Sequence, residues 1–126
     1  MGVVMEPIHK MTNAESKLAE LIWNSEPIMS MALVRLAGES VGWSKSTAFT
    51  HLKALVEKGF AKNDSSRVTM EISRDEYAAK QSCSFVDDIF GGSLPMFVAS
   101  FTRNRKLTPE QAEELKRLIE QHSGGE

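Results

Sequence analysis

Apolar positions along the 126-residue chain recur with a helical period at both ends and with a period of two in between. Ala14, Leu18, Leu21 and Ile22 recur at helical spacing. Thr12-Asn13-Ala14-Glu15 opens that segment as a capping box, in which the Thr and Glu side chains each satisfy a free backbone donor at a helix start. Trp23 closes this first helix and Pro27 marks the break. Ser30 is the expected cap of a second helix running to about Gly38. Met31, Leu33, Val34, Leu36 and Ala37 make it apolar around much of its circumference, so it touches more than one neighbour. A short turn, Gly38 to Gly42, leads to Ser44, the cap of a third helix from about Lys45 to Lys58. Ala48, Leu52, Leu55 and Val56 form its buried stripe, while Ser46, Thr50, Lys53, Ala54 and Glu57 point away. Gly59 is the C-terminal stop.

The period then changes to two. Phe60-Ala61-Lys62-Asn63 and Arg67 to Ser73 read as strands joined at Asp64-Ser65-Ser66, with Val68, Met70 and Ile72 on one face. Ser73-Arg74-Asp75-Glu76 is another capping box, opening a helix with Ala78, Phe85, Val86, Ile89 and Phe90 on one side. Gly91-Gly92 breaks it. A helix from about Ser93 to Asn104 presents Leu94, Phe97, Val98 and Phe101. Thr108-Pro109-Glu110-Gln111 starts a last one with Ala112, Leu115, Leu118 and Ile119. The fold class is thus mainly α with a small β-hairpin.

Helix, helix, turn, helix, hairpin is the order of a winged helix-turn-helix. In that arrangement the second helix of the pair enters a DNA major groove, about 12 Å wide. The hairpin is the wing and runs along the phosphates. Four segments result: a flexible tail over 1–10, a DNA-binding domain over 11–74, a helical dimerisation domain over 75–122, and a tail over 123–126.

Composition sharpens this picture by exclusion. With 41% hydrophobic and 25% charged residues, the chain has enough apolar material for a core. No run approaches the roughly 18 apolar residues that span a bilayer. The N-terminal MGVVMEPIHK lacks the pattern of a signal peptide, so a cytoplasmic protein with no membrane partner is expected. One cysteine, Cys83, excludes an intrachain disulfide and paired-cysteine zinc sites, and reads as a small buried or half-buried side chain. His9, His51 and His122 lack ligand spacing, so no metal site and no cofactor is expected. No glycine-rich phosphate loop and no set of nucleophile, base and orienting group can be picked out, so no enzyme is expected.

Charge distribution matters more than the net charge of −2. Residues 43–74 carry six cations (Lys45, Lys53, Lys58, Lys62, Arg67, Arg74) against Glu57, Asp64 and Glu71, a local excess of +3. The acidic excess lies in the C-terminal third. On the third helix, Ser46 and Thr50 offer hydroxyls to base edges or phosphates, and Lys53 reaches a phosphate or a guanine. The free backbone N–H groups at Ser44 and Lys45 favour a phosphate, although Ser44 reads equally as a plain cap. Arg67 is the best phosphate contact of the wing and Lys62 a second. A solvated helix face is the competing reading of the same residues. A winged-helix module that binds protein instead of DNA is the competing reading of the chain.

The run Trp43-Ser44-Lys45-Ser46-Thr47-Ala48-Phe49-Thr50-His51-Leu52-Lys53-Ala54-Leu55-Val56-Glu57-Lys58-Gly59-Phe60 resembles the recognition-helix segment of the penicillinase repressor family. Asn13-Ala14-Glu15 with Leu21-Ile22-Trp23 resembles its first helix. Phe90-Gly91-Gly92-Ser93-Leu94, Leu107-Thr108 and Glu113-Glu114-Leu115 resemble its C-terminal region. The resemblance covers about residues 11–121. It implies a homodimeric repressor on an inverted-repeat operator, of the kind found in antibiotic-resistance circuits, with the C-terminal helices joining the subunits. Thr47 matches a family threonine and is a further DNA-binding candidate, or a support of the helix N-terminus. Trp43 matches a family tryptophan and either stacks on DNA or anchors the turn in the core. Phe49 and Ala54 stand where many relatives carry cations, which weakens the electrostatic part of affinity. Phe49 either packs partly in the core or meets a thymine methyl.

The aromatic stripe of the last three helices is too apolar to be left exposed. Phe85, Val86, Ile89, Phe90, Leu94, Phe97, Val98, Phe101, Leu115, Leu118 and Ile119 are therefore expected to form the dimer interface, with an intrachain core as the competing reading. In the penicillinase branch of the family a sensor protease relieves repression by cutting within the helix matching residues 93–104. The matching bond is Ser100–Phe101, with Ser100 standing where those repressors have asparagine. The copper-sensing branch uses paired cysteines, and Cys83 has no mate.

Overall fold

A computed structural model describes residues 10–124 of the chain. Most of the tail expected over 1–10, and the last two residues of the tail expected over 123–126, lie outside the described residues. The elements are α1 (Asn13–Ser25), β1 (Ile28–Met29), α2 (Ser30–Val41), α3 (Lys45–Glu57), β2 (Ala61–Asp64), β3 (Arg67–Met70), α4 (Arg74–Phe90), α5 (Leu94–Asn104) and α6 (Pro109–His122). The chain divides into two compact units, 1–84 and 85–126, with the division inside α4.

In the first unit, Thr12 and Glu15 close both halves of the capping box on α1. Ser30 does not cap α2. It is the first helical residue and is buried, and Met29 stands at the cap without a side-chain bond. Nor does α2 stop at Gly38. The helix runs on to Val41 and ends at Gly42, whose φ of 79° lets its N–H reach the Ala37 and Gly38 carbonyls at 3.1 Å. A left-handed terminus of this kind favours glycine.

The hairpin joins a third strand. Sheet order is β1-β3-β2, antiparallel throughout, with Val68 opposite both Ile28 and Asn63. Asp64 pairs with Arg67 across the two-residue loop Ser65-Ser66, where both residues have positive φ. Two positive-φ loop residues match the right-handed twist of a hairpin. The strands are shorter than their alternation suggests. β2 starts at Ala61 because Phe60 is turned into the core, and β3 ends at Met70.

Among the described residues the buried core belongs wholly to this unit. Leu18, Ile22, Leu33, Leu55 and Val68 are its largest fully buried side chains, drawn from three helices and the central strand. The first turn of α4 is fastened to it. The Tyr77 hydroxyl accepts the Met11 N–H at 2.7 Å, the Trp23 indole donates to the Ile72 carbonyl at 2.9 Å, and Tyr77 meets Phe60 edge-on at 5.3 Å.

In the second unit, Phe85, Phe90, Phe97 and Phe101 touch in sequence with ring centroids 5.6–6.3 Å apart. Thr108 and Gln111 close a full capping box on α6. No side chain of α4, α5 or α6 is buried. Cys83, expected to be at least half-buried, is exposed on α4.

Candidate nucleic-acid interface

The exposed face of α3 is set by what its other face buries. Ala48, Leu52 and Leu55 enter the core, and this turns Ser46, Thr50 and Lys53 into solvent. Val56, expected in the buried stripe, is exposed, one step of rotation too far round. Phe49 and Trp43 are half-buried and pack against the core. Trp43 also lies against His51, rings 4.8 Å apart, so it anchors the turn between α2 and α3.

Hydroxyl groups of this helix divide by what they already bond. The Ser44 hydroxyl accepts the Thr47 N–H at 3.1 Å and lies 3.0 Å from the Thr47 hydroxyl, so the two residues together form the helix cap. The Thr50 hydroxyl donates to the Ser46 carbonyl, one turn back, at 3.0 Å. Ser46 and Lys53 make no side-chain hydrogen bond among the described residues.

The six cations of residues 43–74 separate in the same way. The Lys58 ammonium sits 2.7 Å from the buried Glu15 carboxylate. Burial pushes the Glu15 carboxyl up, but the Lys58 ammonium and the Thr12 N–H outweigh it and hold the group below the usual glutamate range. Arg74 takes Glu20 in a two-pronged contact, with its second nitrogen 2.8 Å from the carboxylate, and also reaches Asn24 at 3.0 Å. Both cations hold α1, so they are structural. Lys45, Lys53, Lys62 and Arg67 remain, exposed and without an ion pair among the described residues. Two are on α3, and two are on the hairpin. Lys62 lies opposite Thr69, and Arg67 lies at the loop end between Met29 and Asp64.

In the second unit the expected interface residues line up on α4–α6 and are largely exposed. Ile89 is 62% exposed, Ile119 60% and Phe85 50%. A groove of about 330 Å³ runs between α5 and α6, lined by Phe97, Val98, Phe101, Leu107, Leu115 and Leu118 with Gln111 and Glu114. Val86, Phe90 and Phe97 are half-buried, and Leu94 is exposed. Ser100 and Phe101 are both exposed on α5. No helix among the described residues is long and apolar enough to cross a membrane.

Known proteins bear on this arrangement. The family model described as penicillinase repressor matches residues 11–121, which spans both units. The chain belongs to the penicillinase repressor family. Membership places it among transcriptional repressors. One relative is the penicillinase repressor of Bacillus licheniformis, 28% identical over 122 residues, a match covering 94% of this chain and 95% of that protein. The fold class expected from sequence, a winged helix followed by a helical C-terminal region, is the one observed.

Three features of the site were not legible in the residue pattern. β1 is two residues long, too short for any alternation to register. The partners of Lys58 and Arg74 lie 43 and 54 residues away on α1, outside the window in which local charge is counted. The back-bond of Thr50 depends on a side-chain rotamer. The only advance sign was that threonine in helices commonly turns its hydroxyl to the carbonyl one turn back.

Proposed function

We propose that the chain represses transcription as a homodimer bound to an inverted-repeat DNA operator. The α3 helix of each protomer enters a major groove, and the β2–β3 hairpin follows the flanking phosphates. The observation that carries this reading is the face of α3 itself. Ser46, Thr50 and Lys53 stand in solvent on one helix side, and the only unpaired cations of residues 43–74 among the described residues are on this helix and the hairpin. Base edges are read by such a face, and phosphates by such cations. Ser44 and Thr47 shape the helix start, where free backbone N–H groups and Lys45 suit a phosphate. Phe49 contributes packing beneath the face, and Lys62 and Arg67 contribute charge from the wing.

Dimerisation is supported by exposed apolar surface. Isoleucines, leucines and phenylalanines in contiguous exposed positions on α4–α6 mark an interaction surface. A two-fold dimer matches a palindromic site. Induction in a penicillinase-type circuit would use a sensor protease on Ser100–Phe101. That bond lies inside α5, so cutting it requires local unwinding of the helix.

The test is a mobility-shift titration of the full chain on a promoter fragment carrying an inverted repeat, at two salt concentrations. The expected result is a salt-sensitive shift with two protomers per duplex. Absence of any shift at low salt refutes DNA reading and leaves a winged-helix module that binds protein.

A further inference from the structure

Resting on the DNA-reading role proposed above, we infer that Thr50 reads a thymine through its methyl group and not through its hydroxyl. The hydroxyl proton is already committed, because Thr50 Oγ1 donates to the Ser46 carbonyl at 3.0 Å. Threonine carries two heavy branches on Cβ, and only one can face the preceding turn. With Oγ1 turned back onto the helix, the methyl takes an outward position on the exposed face of α3. Donating to a base would require breaking the internal bond to make another, with little net gain. The methyl needs no such exchange. In the major groove its complement is the C5-methyl of thymine, an apolar contact that separates T from C.

Neighbouring groups fit a division of labour. Thr47 Oγ1 accepts the Ser44 hydroxyl at 3.0 Å, which holds its side chain in the helix cap at the start of α3. Ser46, with no side-chain bond among the described residues, keeps a free proton. Lys53 keeps an unpaired ammonium. On this side of α3 the free donors are therefore Ser46 and Lys53, and Thr50 supplies the apolar component between them. A hydroxyl-bearing residue is thus assigned an apolar task by one intrahelical hydrogen bond.

Uracil substitution tests this directly, since dU lacks only the C5-methyl. The probe is the duplex that the full-length protein selects from a randomised pool, with each thymine of one half-site replaced singly by dU. The parent should lose about fourfold in affinity at one position, the transfer value of roughly one apolar carbon group. Thr50→Val keeps a methyl at that branch and should keep the penalty. Thr50→Ser removes the methyl and should erase it, binding T and dU duplexes equally. Both variants change an exposed side chain, and an unchanged thermal midpoint establishes that each is folded. A penalty that survives in Thr50→Ser but vanishes in Thr50→Val would overturn the assignment in favour of the hydroxyl. Tight parent binding with no dU penalty anywhere overturns it too, while leaving DNA reading intact. A parent that selects no duplex overturns the DNA reading and this assignment together.

Discussion

Replacing Arg67 by alanine isolates one wing contact, and its effect follows from a count of free cations. Each protomer presents Lys45, Lys53, Lys62 and Arg67 in solvent without an ion pair among the described residues. A dimer therefore offers eight. Each phosphate neutralised releases counterions and contributes about −0.9 to the slope of log K against log salt, which sets a ceiling near −7 for the parent. Arg67→Ala removes two contacts from the dimer and should make the slope shallower by about 1.8. Between 50 and 200 mM salt, a fourfold change, this amounts to roughly a tenfold smaller loss of affinity than the parent suffers. Fluorescence anisotropy on a labelled operator duplex, titrated at several salt concentrations, measures it. Arg67 sits at the loop end of the hairpin and is not part of the core, so the thermal midpoint should not move. An unchanged slope would refute the contact. A loss of affinity that is equal at all salt concentrations would mean that Arg67 acts otherwise than on a phosphate.

Three other perturbations probe the framework. Glu15→Gln keeps the oxygen that closes the α1 capping box but removes the charge facing Lys58, which is itself 30% exposed. It should cost about 1–2 kcal/mol at neutral pH in urea unfolding, the value of a charged hydrogen bond discounted for solvent. Because the Glu15 carboxyl is held below its ordinary 4.5, its contribution is complete above that pH and is lost as pH falls through the lowered value. The acid-side decline of the parent should therefore be shallower in the variant, and identical acid limbs would contradict the pairing. Ser66→Gly, at φ 71°, should raise stability by about 0.5–1 kcal/mol, since a serine there is strained and glycine is not; a lowered unfolding midpoint would count against it. Ile89→Asp places a charge on the exposed apolar surface without entering the phenylalanine cluster, and should yield folded monomers in sedimentation. A dimer that persists would remove α4 from the interface.

The residue pattern by itself determined the order of the helices and the hairpin, the capping boxes on α1 and α6 though only half of the one expected at Ser73, and the direction in which α3 faces. These follow from local rules. A capping box joins side chains three residues apart, and an apolar stripe at i, i+4 and i+7 defines a helix face wherever the core lies. Where the pattern misled, the deciding contact was one that residue type and spacing do not count. Gly38 reads as a stop, yet α2 passes through it, because Gly42 offers a left-handed terminus and the packing of Leu33, Val34 and Ala37 carries the helix on. Lys58 and Arg74 count as two of six local cations, but α1 supplies their counter-charges from Glu15 and Glu20. Thr50 is a free hydroxyl in sequence and a bonded one in the fold, through the Ser46 carbonyl of its own helix. Tertiary structure alone decided which charges remain free, and side-chain rotamers within α3 decided which hydroxyls do. Composition fixes how many polar groups a chain has, but their availability depends on which partners folding brings within hydrogen-bond reach.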